Sequence, residues 1–113
     1  MVRWARAVGT GALLSPASHE AQLTRAPFLI TPTASPELGY AMGVIVSKGW
    51  SLQTPGLNGY YGIIGYLPSR DLSIAIVSTQ KESTSVPGKN FSTTIFGEIV
   101  KVLAPESLPP LGY

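Results

Sequence analysis

The sequence predicts an α+β domain: an antiparallel sheet of about four strands, with short helices before it and one helix after it packed on the sheet. Three observations point there. Between Tyr40 and Thr79, apolar and β-branched runs alternate with short turn signals, the signature of antiparallel strands. From Ile95 to Leu103, apolar residues recur at helical spacing. Before Tyr40, Gly9, Gly11, Ser15 and Pro16 punctuate two short helical stretches.

Trp4 to Val8 is helix-compatible and reads as the tail of a helix, ended at Gly9 or Gly11 because glycine accepts a left-handed cap. Ser15-Pro16 is an N-cap followed by proline at the first helical position, so Ala17 to Thr24 forms the next helix. Pro27, Pro32 and Pro36 make Ala26 to Leu38 an irregular, extended connection. Tyr40 to Ser47 reads as the first strand, closed by Lys48-Gly49, and Trp50 to Thr54 as the second, ending at Pro55. Tyr60 to Leu67 is the third, and Pro68-Ser69-Arg70-Asp71 turns it into Leu72 to Thr79, the fourth. Both faces of that fourth strand are largely apolar, which places it centrally in the sheet. After a polar loop from Lys81 to Lys89, Asn90 or Ser92 caps a last helix running to about Ala104. Its apolar stripe is Ile95, Phe96, Ile99, Val100 and Leu103. Pro105 stops it, leaving residues 105–113 as a Pro-rich tail after a domain of residues 1–104.

At 113 residues the chain is one small domain or a piece of a larger one. Charged residues make up only 12%, about half the share usual for a soluble domain, so part of the surface is expected to be covered by other chain or by a partner. The eight Lys and Arg are scattered singly, which argues against nucleic-acid binding. There is no cysteine, and the single histidine, His19, rules out a multi-histidine metal site. The six carboxylates lie on separate elements, in no glycosidase pair or metal cage, and Gly88-Lys89 lacks the rest of a phosphate loop. No cofactor is expected. No run approaches the length of a membrane-spanning helix, and the arginine-bearing N-terminus, broken by Gly9, Thr10 and Gly11, reads as domain sequence rather than a signal peptide.

Several segments resemble one family in order and spacing. WARAVGTGALLSPASHEAQLT resembles the helix–"G-x-LLSP-x-S"–helix segment of the serine β-lactamase and D-Ala-D-Ala carboxypeptidase superfamily, in its class C-like branch. GYAMGVIVSKGW resembles the family's "YGLGW"-type strand, and LNGYYGIIGYLPSRDLSIAIVST the "PGY-x-S…YLP…VVVLTN" strand pair. The likeness runs from about Trp4 to Leu103 and implies the C-terminal part of that fold. It also implies a hydrolase that attacks β-lactams, D-Ala-D-Ala peptides or esters through an acylated serine, usually outside the cytoplasm. In the family, Ser-x-x-Lys, Tyr-x-Asn (or Ser-x-Asn) and Lys-Thr-Gly (or His-x-Gly) motifs build the site.

Of those motifs, little is present. No Tyr-x-Asn or Ser-x-Asn occurs, and the one literal Ser-x-x-Lys, Ser78-Thr79-Gln80-Lys81, lies where a strand enters a loop rather than at the start of a helix. It is a chance match, and no catalytic residue is assigned in this chain. Alignment through LNGYY sets Gln53-Thr54-Pro55 on the edge-strand motif, followed by Gly56. The resemblance therefore makes Gln53, Thr54, Pro55, Gly56 and Tyr60 the substrate-binding candidates. Thr54 keeps a hydroxyl, Gln53 offers an amide where the family has a cation, and Pro55 has no N–H to donate. The Gly56 N–H can serve as an oxyanion donor, and Tyr60 as a wall. Pro55-Gly56 is also a turn signal in its own right. His19 is read as a solvent-facing helix residue and the tyrosines as half-buried sheet aromatics.

Three function classes can be drawn from the sequence; the first is favoured, the second is its alternative, and the extent of the resemblance argues against the third. The first is the C-terminal portion of a β-lactamase-related hydrolase, inactive alone and prone to self-association or to completion by an N-terminal half. The second is a catalytically dead relative that binds a peptide or cell-wall fragment by strand addition. The third is a self-standing interaction domain.

Overall fold

In a computed structural model of the chain, residues 1–24, 37–57, 59–81, 83, 86 and 89–112 are described. Most of the Ala26–Leu38 connection and of the loop between Lys81 and Lys89 lies outside them. The described residues form an antiparallel α+β structure with one helix on each face of the sheet.

Helix α1 (Val2–Thr10) ends at Gly11, which adopts the left-handed conformation. The Ala12 N–H reaches back to Ala7 O at 3.0 Å and the Gly11 N–H to Val8 O at 3.1 Å, satisfying carbonyls the helix end leaves over. Helix α2 (Pro16–Leu23) starts as its sequence predicts, with Ser15 Oγ accepting the Ser18 N–H at 3.2 Å and Pro16 at the first position.

Among the described residues the sheet has six strands rather than about four. The expected strand from Tyr40 to Ser47 folds back on itself as β1 (Gly39–Tyr40) and β2 (Ile45–Ser47). Gly43 takes a left-handed φ of 70° between them, and the Ala41 N–H closes the turn on Val44 O at 2.8 Å. The rest of the sheet is β3 (Trp50–Gln53), β4 (Gly56–Leu57), β5 (Tyr60–Leu67) and β6 (Leu72–Thr79). Strand β5 is central. It pairs with β3 and β4 along one edge and with β6 along the other. Among the described residues strand β6, expected to be central, pairs only with β5 and is an edge strand. Its apolar faces are explained by helices above and below the sheet, not by strands on both sides.

β3 and β4 are one strand in register. Gln53 faces Ile64 and Gly56 faces Tyr61, so Pro55 falls opposite Gly62 without a bulge. Opposed residues of an antiparallel pair exchange two hydrogen bonds at alternate positions. Here the Gly62 N–H donates to Pro55 O at 2.8 Å, but proline cannot return the second bond. The Gly62 carbonyl is met instead by Asn90 Nδ2 at 3.2 Å.

Asn90 also caps helix α3 (Phe91–Leu103), its Oδ1 accepting the Ser92 N–H at 2.9 Å. The main core lies between α3 and the sheet, where Trp50, Ile63, Leu67, Phe96 and Val100 are enclosed and the Trp50 and Phe96 rings meet edge to face at 5.0 Å. The buried face of α3 runs through Ser92, Phe96, Val100 and Ala104, a row at four-residue spacing. It is rotated from the expected stripe, so Ile95 and Leu103 are exposed. The Pro-rich segment packs against this core: Ser107 and Pro109 are buried, Ser107 O accepts the Trp50 indole N–H at 2.8 Å, and Arg70 pairs with Glu106 at 2.9 Å.

On the opposite face α1 lies close to the sheet through its small residues, Ala5 and Gly9. A Cβ at Gly9 would come within 2.3 Å of Tyr66 Cδ1 and 2.8 Å of Ser51 Oγ. The Tyr66 hydroxyl donates to Asp71 at 2.9 Å, and Arg6 of α1 grips the same carboxylate at 2.9 and 3.1 Å.

Candidate functional site at the sheet edge

The expected site residues lie along the outer edge of the β3–β4 strand. Because the Gly62 N–H bonds to Pro55 O, odd-numbered residues here face β5, while Thr54 and Gly56 turn their N–H and C=O groups outward. Strand β2 pairs only as far as Leu52, and among the described residues no strand lies on the outer side of 53–57. The Thr54 N–H is taken by Gln53 Oε1 at 2.9 Å. Among the described residues, the alternation leaves the outward N–H of Gly56 and the outward carbonyls of Thr54 and Gly56 for a ligand.

Both amide N–H groups of Gln53 are engaged. Its Nε2 donates to Tyr40 Oη at 3.0 Å and to Gly43 O at 3.0 Å, so the side chain ties the β1–β2 turn to β3. An amide supplies two donors and one acceptor in one plane, which suits this tie as no lysine could. Beyond it, Pro55, Gly56 and Tyr60 line a shallow apolar depression of about 170 Å³ with Met1 and Val77. Thr54 is half-buried between the two. Pro55, Gly56 and Tyr60 thus share one surface, whereas Gln53 faces another.

That other surface is a cleft of about 290 Å³ between α1, α2 and β3, which sequence reasoning missed. Trp4, Val8, Gln22, Met42, Ser51 and Ile64 are among its walls. The alternation Trp50-Ser51-Leu52-Gln53 holds a signal for it, since it puts the two polar residues on the face away from the core. Nothing local shows that α1 covers that face.

Ser78 sits on β6 with its Oγ 2.7 Å from Ser92 Oγ. Ser92 Oγ donates to Tyr61 O at 3.1 Å, so its single proton is committed and Ser78 must be the donor between the two hydroxyls. The Ser78 proton therefore points into the sheet–α3 junction, toward another hydroxyl rather than a base. His19 is not solvent-facing. It is half-buried against Gly11, with its Nε2 enclosed and unpaired. Of the tyrosines, Tyr60 is exposed, Tyr61 half-buried and Tyr66 buried.

Among the described residues no cluster of His, Cys, Asp or Glu could hold a metal ion, and no helix is long and apolar enough to cross a membrane. The chain matches no protein-family model and no curated protein.

Proposed function

We propose that this chain is the sheet-edge portion of a β-lactamase-related serine hydrolase, contributing the cleft wall and one oxyanion donor but no nucleophile. The observation that carries the reading is the outer edge at Thr54–Leu57, beside which no further strand lies among the described residues, with the Gly56 N–H directed outward beside Pro55 and Tyr60. A β-lactam, D-Ala-D-Ala peptide or ester laid along this edge would offer its carbonyl oxygen to Gly56. Acylation forms a serine ester and breaks the amide or ester bond, with the proton going to the leaving group; water then releases the acid. The attacking serine, its base and the second oxyanion donor come from outside this chain, from a complementing N-terminal half. Exposure of the 113-residue chain to a fluorescent penicillin and to an acyl-fluorophosphonate, followed by intact mass, is expected to give no adduct. A stoichiometric adduct overturns this reading, and its position identifies the nucleophile.

The same outward carbonyls and N–H favour a second reading, in which the edge binds an extended peptide by strand addition without chemistry. Saturable binding of a peptide ending in D-Ala-D-Ala to the chain alone, with no adduct, would favour it over the first.

A further inference from the structure

We propose that the cleft between α1, α2 and β3 is a binding site for a small neutral aromatic molecule bearing one ring N–H or O–H, of the indole or phenol class. Its walls are mainly apolar: Val8, Leu52 and Ile64, with the Trp4 ring and the pliable Met42 side chain at the opening. Aromatic faces and thioethers both receive an aromatic guest well. At about 290 Å³ it lies at the small end of ligand cavities, which limits the guest to one or two rings. Among the described residues no Asp, Glu, Lys, Arg or His lines it, so a charged guest would lose its hydration without gaining a counter-charge from them.

Two polar atoms in the lining select the guest further. Ser51 is only 8% exposed and its Oγ has no hydrogen-bond partner. Gln22 Oε1 is likewise enclosed and unpaired. Buried polar atoms in folded proteins are nearly always satisfied, so an unpaired hydroxyl and an unpaired carbonyl on two residues that line one cleft mark the place of a partner. The Gln22 oxygen can only accept, which requires a donor on the guest; the Ser51 hydroxyl can take either role. The Gln53 amide N–H groups do not compete, since both are donated to Tyr40 Oη and Gly43 O. This site requires neither the hydrolase reading nor the sheet edge at Gly56.

Ligand-observed fluorine NMR on the 113-residue chain tests it, with a fluoroindole as probe and fluorobenzene as the apolar control. The fluoroindole is expected to bind saturably and more tightly than fluorobenzene. Ser51→Ala and Gln22→Leu should each weaken it by about tenfold, the worth of one hydrogen bond, and leave fluorobenzene unchanged. No saturable binding to the folded wild-type chain overturns the proposal, as does equal affinity for the two probes. Should Ser51→Ala not fold, Gln22→Leu on the surface helix α2 decides alone: retained fluoroindole affinity overturns the proposal.

Discussion

Gly9 is where two residue-level preferences oppose each other. Alanine is favoured over glycine inside a helix by about 1 kcal/mol. At this position, though, the added methyl would meet the Tyr66 ring at 2.3 Å. That ring is buried and tethered through its hydroxyl to Asp71, so it cannot swing aside, and overpacking of this kind costs about 1–3 kcal/mol. We predict that Gly9→Ala destabilises the chain by about 1 kcal/mol net, read as a lower urea midpoint; a raised midpoint would show that α1 is not seated so closely. Asp71 carries a second residue-scale prediction. The Tyr66 hydroxyl, then the Arg6 guanidinium, hold its carboxyl below the usual carboxylate range. A group depressed in the folded state contributes stability above its unfolded pKa, about 3.9, and loses it as pH falls through the lower folded value. The urea midpoint should therefore drop below about pH 4, and Asp71→Asn should flatten that drop. An identical acid limb in the variant would remove Asp71 from the account. Neither role is visible in the sequence. Gly9 looks like one of two equivalent helix stops, and Asp71 like an ordinary turn residue, because the partners of both lie on elements distant in the chain.

At the scale of elements, the junction of β4, β5 and α3 is held by one asparagine with two duties. Asn90 caps the helix through Oδ1 and supplies through Nδ2 the bond that Pro55 cannot give Gly62. Asn90→Ala should cost about 2 kcal/mol, from loss of the cap and from a carbonyl left without a partner. In a Pro55→Ala background, the new N–H at position 55 can bond Gly62 directly, so the same substitution should cost only the cap, about 1 kcal/mol. A double-mutant cycle by urea unfolding measures the difference as a coupling of about 1 kcal/mol. Strictly additive costs would mean that Asn90 does not substitute for the missing proline donor. The cap itself was legible, as were the starts of α2 and α3, because capping depends on residues a few positions apart. The strand from Tyr40 to Ser47 was misread because its apolar run gives no sign that Gly43 turns the chain back. The exposed side of α3 was misjudged for a related reason. Its small polar residues Ser92 and Thr93 fit the tight junction with the sheet, so its apolar Ile95 and Leu103 are turned away.

For the whole molecule, the order of strands decides which edges stay open, and sequence patterns do not encode that order. Apolar residues on both faces of β6 suggested a central strand; helices cover parts of both faces, while its outer edge has no neighbour among the described residues. The low charge content raises the expectation that other chain or a partner covers part of the surface, and several large apolar side chains are exposed among the described residues. Val77 on β6 is 60% exposed, Leu57 beside the Gly56 edge 78%, and Val102 on the outside of α3 80%. A free strand edge bearing exposed valine, with no lysine or proline within Leu72–Thr79 to blunt it, is a template for another strand. We therefore predict that the chain associates through β6, either with a second copy or with a complementing strand. Sedimentation velocity over a wide concentration range should show a reversible increase in mass. Val77→Lys should shift that equilibrium toward monomer without lowering the unfolding temperature, because its side chain leaves the core untouched. Val102→Lys on α3 serves as the matched control and should leave the equilibrium where it was. If Val102→Lys abolishes association while Val77→Lys does not, the contact runs through the helix face. A wild-type chain that stays monomeric and unfolds sharply at every concentration would mean that the edge is stable without a partner, and would count against the reading of this domain as one part of a larger sheet.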